Sequence, residues 1–177
     1  MKKVILSLLF IQISILCYCQ ETTTVFDIAR KGTLEQAKDK LKENPNAFNV
    51  VNEEGYSPLL IACYRANNEI AKWLIEKGSD IDAKSALGTP LMAAIVKNNN
   101  EIAKLLIEKK ADVNFADKNG TTALLYATIF KNYEIVSLLI NANADYTVKD
   151  NRGNSALDYA ILSNDDKLIE ILKNKKQ

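Results

Sequence analysis

Histidine is absent from all 177 residues of this chain. That removes the imidazole most often used for proton transfer near neutral pH, and with it any serine or cysteine nucleophile that needs a histidine partner. Cysteine is scarce: of three residues, Cys17 and Cys19 lie in an N-terminal apolar stretch and only Cys63 lies beyond it. One cysteine without histidine cannot assemble a zinc site, and one cysteine cannot form an internal disulfide framework. Neither sign of charge dominates, since 23 basic and 22 acidic residues leave a formal charge of +1. No dense basic run follows a phosphate backbone and no acidic tail is present, so nucleic acid is not an expected partner. No catalytic, cofactor-binding or metal-ligating set is expected, and the chain is not read as an enzyme.

Acidic residues do occur in suggestive strings. "DKNG" (117–120) and "DNRG" (150–153) resemble the start of a calcium loop. A helix-loop-helix calcium site needs a bidentate glutamate at its twelfth position, and counting from Asp117 that position is Thr128. Both strings read as Asp/Asn-Gly turns instead. The adjacent carboxylates Glu53–Glu54 and Asp165–Asp166 read as solvated surface pairs, because nothing sets an acid and a base across a pocket. Cys63 falls in a small-residue slot of a helix and reads as core.

What is present begins with residues 1–19, a class apart from the rest. "MKK" is a short basic segment, "VILSLLFIQISIL" is an apolar run, and Glu21 is the first acidic residue. This is the layout of a secretory signal peptide of bacterial style, and export to the periplasm or beyond is the expectation. Cleavage before Gln20 would leave no membrane span. Lipid anchoring through Cys17 or Cys19, and an uncleaved anchor, stay open as alternatives. Tyr18 and Leu16 stand where lipid processing wants small side chains.

The remaining length repeats itself. "EIAKWLIEKGSDID" (69–82) returns as "EIAKLLIEKKADVN" (101–114). Aligning on a hydroxyl residue, a proline or alanine and a leucine gives starts at Ser57, Thr89, Thr122 and Ser155, spaced 32, 33 and 33 apart. Each start leads into a short apolar run carrying Ala62, Ala94, Ala127 or Ala160 at the same place, and then into a second run with helical spacing. The hydroxyls sit where a helix N-cap belongs, and Pro58 and Pro90 take the first helical position, where a missing N–H costs nothing. In the second run Ile102, Ala103, Leu105 and Leu106 make an apolar face, with Lys104, Glu108 and Lys109 toward water. The first helices are far shorter than the ~12–15 residues an isolated helix needs, so only side-by-side stacking buries these faces.

These motifs carry a resemblance. The segment "NGTTALLYATIFKNYEIVSLLINANADYTVKD" (119–150) is similar to one unit of the ankyrin-repeat family, with turn, helix, helix and hairpin in order, and the likeness extends over roughly 22–177. It implies an all-α fold: an ankyrin-repeat solenoid of about five stacked helix-turn-helix units joined by β-hairpin loops. The units are placed at about 22–53 (an N-terminal cap), 54–86, 87–119, 120–152 and 153–177 (a C-terminal cap) within a single domain, 20–177. The cap lacks the Ser/Thr-Pro-Leu start, and Pro45 replaces the usual glycine-alanine-aspartate ending. Where the family favours glycine after the second helix, Gly78 keeps it, Asn143 tolerates it, and Lys110 is expected to be strained by about 1 kcal/mol. The hairpin before Thr89 is one residue short, so that finger is expected to be tight.

The resemblance also implies where a partner binds: a concave surface formed by hairpin tips and the exposed side of each first helix. Carried over position by position, it points to Tyr64 and Arg65, Val96 and Lys97, Ile129 and Phe130, and Leu162 on the helices. On the hairpins it points to Tyr56, Lys118, Asn119 and Arg152. Tyr64, Val96, Ile129 and Leu162 are apolar in all four copies, which reads either as a binding stripe with polar rims or as side chains half-buried between helices. The expected partner is another protein, with the chain itself monomeric; a structural, envelope-associated scaffold without one specific partner is the alternative. The fold alone names no target.

Overall fold

Each of the four aligned hydroxyls caps a helix. In the structure, a computed structural model that describes residues 23–174, the side-chain oxygens of Ser57, Thr89, Thr122 and Ser155 accept from the backbone N–H three residues on. The signal-peptide reading of residues 1–19 lies outside the described residues.

Ten helices are present among the described residues, alternating between two layers. The inner helices are α1 (Val25–Lys31), α3 (Pro58–Arg65), α5 (Pro90–Val96), α7 (Ala123–Ile129) and α9 (Ala156–Leu162). The outer helices are α2 (Leu34–Glu43), α4 (Asn68–Glu76), α6 (Asn100–Glu108), α8 (Tyr133–Asn141) and α10 (Asp166–Lys173). Inner helices touch inner helices of the neighbouring unit, outer helices touch outer ones, and each pair closes on itself. The chain is therefore an all-helical solenoid of stacked pairs. The fingers between units carry no strand among the described residues; pairing there is limited to isolated bridges, Ser85 with Gly88 and Ala116 with Thr122. The finger before Thr89 is the tight one expected. Ser85 and Gly88 exchange both backbone bonds across a two-residue turn, whereas the other fingers span Asn52 to Tyr56, Asp117 to Thr121 and Asp150 to Asn154.

Small residues let the inner helices approach. Ala62, Ala94, Ala127 and Ala160 are all fully buried, and the outer helices contribute Ile70 and Leu74, Ile102 and Leu106, Ile135 and Leu139, Leu168 and Leu172 to one continuous core. Leu105 is only half-buried, at the edge of its helix face. Cys63 is fully buried as expected, and burial pushes its thiol up to about 12.

The first unit is closer to the others than its sequence suggested. Thr24 caps α1 in a reciprocal capping box with Asp27, so the hydroxyl start survives without the proline and leucine. Lys110 does sit in the left-handed region, at φ 64°, beside Gly78 at 80° and Asn143 at 65° in the same register.

A second column ties the layers together. Asn67, Asn99, Asn132 and Asp165 precede the outer helices at spacings of 32, 33 and 33. Asn67 reaches back to the carbonyls of Ile28 and Gly32, Asn99 exchanges with Asn68, and Asn132 donates to Asn100 at 2.7 Å. Alongside, Lys72 pairs with Glu101 and Lys104 with Glu134, one unit to the next. Asp165 corrects an expectation: it is buried, not solvated. It caps α10 through the Leu168 N–H and accepts from the Tyr133 hydroxyl at 3.0 Å, with Lys131 Nζ at 3.3 Å. Burial works against its charge, but those three donors prevail and hold the carboxyl below its usual range.

Candidate functional site

The exposed side of the inner helices follows from the capping register. Four residues after each cap come Ile61, Ala93, Tyr126 and Tyr159; three further on come Tyr64, Val96, Ile129 and Leu162. Of this last column Tyr64 and Ile129 are each 43% exposed and Leu162 67%, while Val96 is half-buried. Three of the four face outward, so the stripe is largely surface, with Val96 recessed between its neighbours. Next in sequence, Arg65, Lys97 and Phe130 are exposed.

Aromatic rings connect these positions. Phe130 stacks on Tyr126 with centroids 6.3 Å apart and planes 7° from parallel. Tyr64 is flanked by two cations, Lys97 Nζ at 4.1 Å from the ring centroid and Arg65 Cζ at 5.9 Å. Such contacts hold an exposed cation near a ring without consuming its charge.

Between units the face is notched. A cleft of about 620 Å³ opens over α3 and α5, floored by Leu60, Ile61, Met92 and Ala93 and walled by Tyr56, Tyr64, Val96 and Tyr126. Arg30, Arg65 and Glu54 reach its rim, and Leu87 stands at the tight finger. Two local departures from the repeat make the notch. Ala93 stands where neighbouring copies place Ile61 and Tyr126, and the finger before Thr89 lacks one residue of its neighbours' length. A shallower depression of about 690 Å³ lies around Asn132, Tyr133 and Lys167, with Phe130 at its edge. Lys131, Asn132 and Glu134 there are engaged between helices, and Lys167 lies over the Tyr133 ring at 4.3 Å, so the more enclosed notch is the better-formed candidate.

The structure thus brings Tyr56, Tyr64, Arg65, Val96 and Lys97 together around one cleft, with Phe130 joined to it through Tyr126. Ile129 lies one copy along. Lys118, Asn119 and Arg152 stand exposed at the finger tips, and Leu162 is at the far end of the stripe. Sequence reading missed Tyr126, Ala93 and Leu87. The register from the cap to the fourth residue carried that information, since it marks a second column on the same face.

The acidic strings serve the fingers. Asp117 Oδ1 accepts from the N–H groups of Asn119 and Thr121, and its Oδ2 accepts from the Tyr126 hydroxyl at 2.7 Å. Asp150 repeats the pattern with Arg152, Asn154 and the Tyr159 hydroxyl. Both carboxylates are committed to turns, as the Asp/Asn-Gly reading requires. Among the described residues no group of His, Cys, Asp and Glu is arranged to hold a metal ion, and no helix is long and apolar enough to cross a membrane.

Comparison with known proteins gives a family. The model of the family described as Ankyrin repeats (3 copies) matches residues 25–117 and 97–177. A mouse relative, Protein fem-1 homolog A-like, is 37% identical over 46 residues, which is 26% of this chain. The match spans 7% of that protein's length.

Proposed function

This chain belongs to the ankyrin-repeat family, whose repeats generally mediate protein–protein interaction, and from that premise we propose that it is an exported binding module. It recognises one protein through the inner-helix face, and inhibition or protection of a periplasmic enzyme or toxin is the role that such an exported binder fits. The observation that carries the reading is the notch walled by Tyr56, Tyr64 and Tyr126. Tyrosine and arginine dominate binding hot spots, and this face offers both beside apolar surface. A stack held by neighbour-to-neighbour packing is already ordered, so little is lost to loop ordering on association. The basic and apolar N-terminal segment supports export.

The test is affinity capture from the source organism's periplasmic and secreted fractions, with a Tyr64→Glu, Phe130→Glu double variant alongside. A single protein retained by the natural chain and lost by the variant supports the reading. Equal retention by both moves the site off this face, and weak association with many proteins favours a scaffold.

A further inference from the structure

The notch carries information about what enters it. Its floor is apolar and small at Ala93, and its tyrosine walls are braced: Tyr126 by Asp117 and by stacking on Phe130, Tyr64 by Lys97 and Arg65. A cleft of this size and lining admits a bulky apolar side chain with a short stretch of backbone.

The rim charges are unequal. Arg30 is already paired with Asp27 at 2.9 Å. Arg65 and Lys97 engage no carboxylate among the described residues; the contact each makes is with the Tyr64 ring. Glu54 is the carboxylate at the rim. By contrast, Lys72 and Lys104 on the outer helices have glutamate partners in the next unit. Lys118 and Arg152 extend the positive side along the finger tips, exposed and outside any ion pair among the described residues. A nearly neutral chain therefore presents, beside this tyrosine-walled notch, cations outside any ion pair among the described residues.

We propose that the notch takes a single leucine, methionine or aromatic side chain of an acidic peptide segment, whose carboxylates pair with Arg65 and Lys97. This rests on the reading of the inner-helix face as a protein-binding surface and names its ligand chemistry. The apolar anchor supplies the buried contact, while the flanking carboxylates set orientation and exclude basic segments by charge.

The experiment is selection of the full chain's binders from a random linear-peptide library, followed by affinity measurement on the enriched peptides. Expected are sequences with aspartate or glutamate flanking one bulky apolar residue, bound more weakly as salt rises. Ala93→Ile, which places the neighbouring copy's residue in the notch, is expected to weaken them by about tenfold or more, and Arg65→Glu with Lys97→Glu by about a hundredfold. Thermal melting of both variants establishes that they remain folded. Enrichment of neutral or basic peptides, affinity unchanged in both folded variants, or no enrichment at all overturns the proposal. The wider binding-face reading is judged separately, by the Tyr64→Glu, Phe130→Glu capture, so failure of one is distinguishable from failure of the other.

Discussion

The Tyr126 hydroxyl donates to Asp117 Oδ2 across 2.7 Å, joining the side of an inner helix to the base of the finger that precedes it. Tyr159 and Asp150 make the same bond one unit later, nine residues apart in both cases. The bond fixes a notch wall and a finger with one contact, which is how a stack of short helices holds a binding surface in place.

Tyr126→Phe is expected to destabilise the chain by about 1 kcal/mol, or about 2–4 °C in melting temperature, because a charge-assisted bond at a partly exposed site is lost. Tyr126 ionises late: burial first, and then its bond to the Asp117 carboxylate, push it up from 10.0 to about 12. A group whose folded pKa is raised stabilises the fold below its unfolded value and loses that contribution as pH climbs through the folded one. Denaturant titrations should therefore show the difference between natural chain and variant fully below pH 10 and shrinking toward 12. An unchanged difference across that window would contradict the assignment.

Backbone strain gives a paired prediction. Lys110→Gly is expected to stabilise the chain by about 0.5 kcal/mol, since relief at φ 64° outweighs the added freedom of the unfolded chain. Gly78→Ala, at the equivalent place with φ 80° and open space around the new Cβ, is expected to cost about 1 kcal/mol. Urea melts of both variants read the signs, and the same sign for both would refute the strain argument.

Cys63 is expected to be inert in the folded chain, because burial holds its thiol near 12 and no solvent reaches it. Mass analysis of the Cys63 peptide after thiol labelling should show adduct only under unfolding conditions. Rapid labelling in the native state would show that α3 opens locally.

Much of this structure was legible because the repeat writes the same physics several times. The hydroxyl caps, Pro58 and Pro90 at the first helical turn, and the buried alanine column follow directly from register. Lys110 was legible as strained because Gly78 marks what its position needs. Thr24 was hidden, since its capping box uses Asp27 in place of the proline-leucine signature. Asp165 was misread as solvated because the groups it meets, Lys131 and Tyr133, belong to the preceding unit and are far from it in sequence. The notch was missed for a similar reason. It is an absence, a small residue at Ala93 together with a shortened finger; each is written in the sequence, but only the stacked copies show that the two open onto the same cleft.

The most direct measurement is photo-crosslinking from defined positions in the presence of the captured partner. A crosslinking residue at Leu87 or Val96 probes the notch, and one at Glu76 or Glu108 probes the outer layer. The account predicts adducts from Leu87 and Val96 and none from Glu76 or Glu108. Adducts from the outer helices with none from the notch would contradict it.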